Sequence, residues 1–280
     1  MNPYYDQAQT LGPAVPDWVG HSASANDFPV DPYQLLADPQ GADFVLGLAL
    51  LLSVLSLLRC VQLSFTRKDP LPLVMCITAF FAIVIEPICD LTLGAWFPSN
   101  QIPVITFFNR PIPLAVALLY TVYFPPTILY LTRRFEAGIS KAQLFRFYGA
   151  TVLFCWFFEV VPLHWEIWIY HHGHPLKPLG FSFLWGLANP AMLIFCAATA
   201  YATRRMFPVW GSLMVALTFP MAFAGWLGIS AVAGAIFNTP SAMTNPNLNW
   251  IGQGLLLVCC VYFLSVLADM LKLARRSETS

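Results

Sequence analysis

The sequence predicts an all-α, polytopic membrane helix bundle with seven transmembrane helices, the N-terminus outside and the C-terminus in the cytoplasm. Three observations carry that prediction. Hydrophobic residues make up 58% of the chain and charged ones 10%, too apolar a balance for the surface of a soluble domain of this length. Seven apolar runs are each long enough to cross ~30 Å of hydrocarbon. The basic residues also gather in the loops of one side, the asymmetry that orients membrane proteins.

In chain order, residues 1–42 contain no lysine or arginine and no apolar signal-peptide core. They read as an acidic, poorly ordered extracytoplasmic tail. The membrane domain, 43–272, holds spans at about 43–65, 71–96, 112–132, 147–170, 181–202, 209–236 and 250–271, and 273–280 form a basic cytoplasmic tail. Arg59, Arg67 and Lys68 flank the first interspan loop. Arg133, Arg134, Lys141 and Arg146 flank the third, Arg204 and Arg205 the fifth, and Lys272, Arg275 and Arg276 the C-terminus. Only Arg110 and Lys177 remain for the other side. An odd span count requires termini on opposite sides, so the hydropathy and the charge rule agree. The multi-pass protein is expected in the cell membrane.

The charges that depart from this pattern are acids inside spans. Glu86 and Asp90 lie four residues apart in the second span with Pro87 between them, and that spacing puts both on one face of a helix. A carboxyl at the centre of a span costs roughly 2.5–3.5 kcal/mol on insertion scales and is functional by default. At 1.5 Å per residue Glu86 lies about 22 Å and Asp90 about 28 Å from Leu71, and Glu159 in the fourth span lies about 18 Å from Phe147. All three fall toward the outer leaflet. A close pair of buried carboxyls can divide the work, one as general acid and one as base. Pro87, Pro162, Pro190 and Pro220 each remove a helical hydrogen bond near this region, a condition under which helices line pockets.

His164 and Glu166 in span four, at a depth similar to Glu159, Asn189 beside Pro190 in span five, and Asn109, Arg110, Trp250 and Gln253 near the outer surface, are the candidate substrate-binding residues. The same polar loop residues also suit ordinary turns. The run from His164 through His171, His172 and His174 permits a zinc site, yet five histidines in the whole chain are too few for a diiron centre. The HHGHP stretch equally suits a solvated turn. No metal and no cofactor is expected. The seven cysteines fall within or beside spans, where cysteine acts as a small hydrophobe, and suggest no disulfide. Lys272 sits at the edge of the last span, which excludes a retinal Schiff base. Fourteen basic against fourteen acidic residues leave no nucleic-acid footprint.

The stretch IEPICDLTLGAWFPSN (85–100), followed by NRPIPL (109–114) at the start of span three and by the acid-bearing span four, resembles the AveC spirocyclase family of multispan proteins. The resemblance extends over roughly residues 70–270. It implies a cofactor-independent enzyme that closes a spiroketal on a lipophilic polyketide and can also dehydrate it, with Glu86 and Asp90 in the matching motif. On that reading Glu86 is the acid, and Asp90 or Glu159 the base. Two other readings follow from the residues alone. A terpene- or carotenoid-type cyclase would protonate an alkene or epoxide within aromatic walls, for which Phe80, Phe81, Trp156, Phe157, Phe158 and Trp168 are available. A lipid-binding protein or proton-coupled transporter would use the acids without turnover, although inverted repeats are not evident. The expected partners are a lipophilic small molecule and the bilayer. No protein partner is legible.

Overall fold

The computed structural model describes residues 36–88, 95–107, 110–170, 181–237 and 246–279. Seven helices dominate these segments: α1 (Pro39–Arg67), α2 (Leu71–Phe81), α3 (Leu114–Ala137), α4 (Lys141–His164), α5 (Phe183–Met206), α6 (Gly211–Phe237) and α7 (Pro246–Thr279). Six meet the length and apolarity needed to cross a membrane, counting α2 with its continuation to Ile88. The chain is a helical membrane protein. The apolar portion of α6 described at side-chain level, Gly211–Trp226, is shorter than a span.

Local signals set the helix ends. Asp38 caps α1, accepting from the Gly41 amide at 2.6 Å, so the helix starts four residues before the expected edge. Gly138, at φ 83°, closes α3 in the left-handed conformation that glycine tolerates. Ser140 and Gln143 form a reciprocal capping box that restarts the chain as α4. At the other end of the sequence α7 continues through 273–279, where a tail was expected.

In the second span the structure departs from a single long helix. Regular α-helix stops at Phe81, a 3₁₀ turn covers Ala82–Ile85, and helix resumes through Ile88. Pro87 explains the change, because its ring crowds the carbonyl of Ile83 and it has no N–H to offer there. Ala95–Trp96, expected as the end of that span, is instead a short strand, β1, antiparallel to β4 (Ile169–Tyr170). Span four is corrected in the same way. Helix α4 ends at His164, Glu166 takes φ 52°, and the Ile167 amide bonds the Pro162 carbonyl at 2.9 Å. This turn reverses the chain, so Trp168 and Tyr170 run back alongside α4. A hairpin of β2 (Pro103–Phe107) and β3 (Arg110–Pro113) leads into α3.

The bundle is built around α5. It packs against α3, α4, α6 and α7, and α3 in turn packs against α1 and α2. Of the most apolar stretch of each helix, 72% is buried in α5 and 61% in α2, against 22% in α1 and in α4. The outer helices therefore turn most of their surface to lipid, with Leu51, Leu55, Leu58, Phe157 and Tyr262 all exposed. Polar stitches join the helices where proline has left an acceptor open. Pro125 cannot donate to the Thr121 carbonyl, and the Ser56 hydroxyl of α1 does so at 2.6 Å. Close approach fixes the start of α1: a Cβ on Gly41 would fall 2.3 Å from Trp165 Cγ, where the Asp38 amide bonds the Trp165 carbonyl at 3.0 Å.

Candidate active site

One cavity of about 100 Å³ brings Glu86 and Glu159 together. Its walls come from the helical turn that carries Glu86, from α3, α4, α5 and α6 and from the paired strands β1 and β4, so it forms only when the bundle assembles. Both acids are buried, at 6% and 9% exposure. Glu86 arrives through the 3₁₀ break ahead of Pro87, and the Tyr120 hydroxyl of α3 donates to its Oε2. Glu159, on α4, accepts from Trp168 Nε1 at 2.5 Å and from the Tyr170 hydroxyl at 3.0 Å. Both donors reach Oε2, and Oε1 accepts neither. The reversal after α4 thus supplies two donors to the acid carried by α4 itself.

The rest of the lining is chiefly aromatic. Tyr123 and Phe124 of α3, Trp185 of α5 and Phe223 and Trp226 of α6 surround the acids, and Asn189 contributes an amide. The Tyr123 oxygen and Cys155 Sγ are 2.8 Å apart and link α3 to α4. Trp226 is 1% exposed, and among the described residues its indole N–H has no hydrogen-bond partner. Buried polar groups are normally paired, so this donor is suited to an oxygen brought in by a ligand.

Part of the cavity wall lies on the outside of the bundle. Phe154 and Phe158 line it, yet they are 53% and 39% exposed. They lie about 20 Å and 26 Å along α4 from Lys141, and about 15 Å and 9 Å from its end at His164. The Phe154 ring stacks on Tyr123 at 6.4 Å and on Phe158 at 5.9 Å. Helix α4 packs on α5 and α7, and on its α3 side these rings fill the gap. The cavity wall at these two rings is therefore partly exposed on the outside of the bundle. The cavity volume holds several waters but is small beside the ~300–1,000 Å³ of a typical ligand pocket, so it suits the reacting part of a larger molecule.

The other candidates fare differently. Asp90 and Asn109 lie outside the described residues, as do His171, His172 and His174. The backbone of Arg110 forms part of β3. His164 is the exposed last residue of α4 and Glu166 sits exposed in the turn, and neither lines the cavity. His164 lies on α4 five residues after Glu159, and Glu166 follows in the turn at the helix exit. Trp250 is exposed on α7. Gln253 is buried with Nε2 unpartnered among the described residues, but it is not part of the cavity wall. Asn100 serves the backbone, bonding the Ala37 amide and carbonyl at 2.9 and 3.0 Å. Of the six aromatics expected to form walls, Phe158 and Trp168 do so, whereas Phe81 and Phe157 are exposed. Tyr120, Tyr123, Tyr170 and Trp226 were not singled out from sequence. Tyr120 and Tyr123 could have been noticed as polar-tipped aromatics one turn apart in a span. No three histidine, cysteine or acidic side chains among the described residues converge on a metal position.

Fold and site together define a polytopic α-helical membrane protein with two carboxyls in an aromatic cavity. No family model, curated protein or solved structure matches the chain.

Proposed function

We propose that this chain is a cofactor-independent membrane enzyme that cyclises or dehydrates a lipophilic polyketide-like or lipid substrate by acid–base catalysis. The observation that carries the reading is the meeting of Glu86 and Glu159, from different helices, in one aromatic-walled cavity. A substrate hydroxyl adds to the ketone to give a hemiketal, Glu86 gives a proton to the hemiketal hydroxyl, and water departs to leave an oxocarbenium ion. A second hydroxyl of the substrate attacks that carbon, and Glu159 takes the proton released. The Trp226 N–H and the Asn189 amide, both in the cavity wall, support a role in holding substrate oxygens. The partly exposed rings of Phe154 and Phe158 in the cavity wall support a substrate that enters from the bilayer. Spiroketal closure is the form suggested by the likeness of residues 85–100 to the AveC spirocyclase family.

The aromatic wall favours a second reading, in which the same acid protonates an alkene or epoxide and the rings stabilise a carbocation. The two differ in mass balance. Spiroketal closure or dehydration releases one water, and alkene- or epoxide-initiated cyclisation is an isomerisation. Lipid extracts of cells expressing the wild-type chain and Glu86→Gln, compared by mass spectrometry, are expected to show a product one water lighter than its precursor in the wild type alone. A wild-type-specific isomer of unchanged mass would establish the second reading. Identical extracts would refute enzymatic function and leave lipid binding or proton-coupled transport.

Seven spans with the N-terminus outside the cell membrane also belong to this proposal, and the clustering of basic residues supports them. Reporter fusions after residues 68, 138 and 205 are expected to read cytoplasmic, and fusions after 175 and 243 are not. A cytoplasmic signal at 175 would overturn the topology.

A further inference from the structure

A second cavity, of about 480 Å³, lies at the basic end of the bundle, where the α1–α2 turn, the last turns of α3 and the α5–α6 turn meet. Four cations line it, Arg67, Lys68, Arg133 and Arg204, against two carboxylates, Asp69 and Glu136. Both acids are committed to Arg204, whose guanidinium bonds Asp69 at 3.0 Å and Glu136 at 2.9 Å. Asp69 also accepts from the Ser212 hydroxyl and the Leu71 amide, at 2.8 and 2.9 Å. Among the described residues no ion pair reaches Arg67, Lys68 or Arg133. The cleft therefore holds an uncompensated charge of about +2, in which Arg204 is fixed and the other cations remain available.

An independent feature points to a ligand. Thr132 in the cavity wall is 1% exposed, and among the described residues its hydroxyl has no hydrogen-bond partner. A buried hydroxyl without a partner is unusual, and a ligand oxygen would satisfy it. Val209 and Trp210 on the rim of the same cleft are strongly exposed. Trp is enriched at the membrane–water interface, where one side is polar and the other is hydrocarbon.

We propose that this cleft binds the phosphate group of an anionic phospholipid, with Arg67, Lys68 and Arg133 on the phosphate oxygens and the glycerol and upper acyl chains over Val209 and Trp210. Arginine forks match phosphate oxygens in geometry as well as charge. A free phosphate would meet the same cations but would leave the apolar rim facing water, which favours the lipid as the source.

The test uses the full chain in phosphatidylcholine nanodiscs doped with phosphatidylglycerol, with bound lipid counted by native mass spectrometry. Wild-type protein is expected to retain phosphatidylglycerol above its share of the disc. Arg67→Gln and Arg133→Gln should each weaken that retention about fivefold, the value of one cation near a lipid phosphate. Arg146→Gln removes the same charge from the same end of the bundle, outside the cleft, and is expected to leave retention unchanged. An equal loss with Arg146→Gln would show a general surface field and overturn the site. Displacement of phosphatidylglycerol by inorganic phosphate, with full thermal stabilisation by phosphate alone, would overturn the lipid as its source. No enrichment in the wild type would overturn the proposal outright.

Discussion

Glu86→Gln is expected to lower turnover by about a hundred- to ten-thousand-fold, the range supplied by a positioned general acid, while expression and thermal unfolding stay near wild type. The amide keeps the shape of the side chain, and its oxygen still accepts from Tyr120, but it has no proton to deliver to substrate. Glu159→Gln separates catalysis from structure at the second acid. Its carbonyl oxygen can accept from both Trp168 and Tyr170, so the reversal after α4 keeps its anchor. A base lost from the reaction would depress turnover with little change in melting temperature. Retained turnover with a lowered melting temperature would show that Glu159 only pins the returning strand, and the two-acid mechanism would be wrong. The product formed by each variant in membranes, set against its melting curve in the same preparation, gives both readings.

The largest stability effect is expected for Phe124→Ala. Phe124 is 1% exposed, and its ring meets Tyr120 at 4.9 Å, Phe219 at 5.2 Å and Phe223 at 5.6 Å, joining α3 to α6 beside the acids. Truncating a buried phenylalanine in a water-soluble core costs about 3–5 kcal/mol, from lost transfer energy together with the cavity left behind. Within a bilayer the transfer contribution shrinks, because lipid tails are as apolar as the core, and packing contributes most of what remains. The expected loss is therefore about 2–3 kcal/mol, read as a lower melting temperature in detergent or in denaturant titration. Phe157→Ala, on the 73% exposed ring of α4, is expected to change little. Equal effects for the two would mean that α3 and α6 do not pack as described.

The helices were legible because apolar length is a local property, and their positions needed no knowledge of neighbours. The reversal after α4 was not. The run WEIWIY (165–170) is nearly as apolar as the helix before it, so hydropathy extends the span through Tyr170. The turn depends on the left-handed backbone at Glu166 and on pairing with Ala95–Trp96, some seventy residues earlier. For the site, carboxyl groups within apolar runs are conspicuous, and Glu86, Glu159 and Asn189 could be singled out without a structure. Their hydrogen-bonding partners could not. Nothing in the composition of α3 distinguishes Tyr120, which bonds Glu86, from Tyr130, which is exposed and stacks on Phe147 at 5.7 Å. Only the rotation of α3 against α2 does so. His164 and Glu166 illustrate the converse: their chemistry drew attention, yet both are exposed where α4 ends and neither lines the cavity.

The partly exposed rings of Phe154 and Phe158 give the surrounding solvent a structural role. They sit where the cavity meets the outside of the bundle, and the helix that carries them is among the least enclosed. On the proposed function, acyl chains lying against those rings complete the enclosure, and the cavity then has one wall that the polypeptide does not encode. Chain length, unsaturation and lateral pressure in the host membrane then bear directly on how tightly water is kept from the carboxyls. A detergent micelle offers a different surface there, and on the same reading the environment chosen for purification becomes a variable of the chemistry.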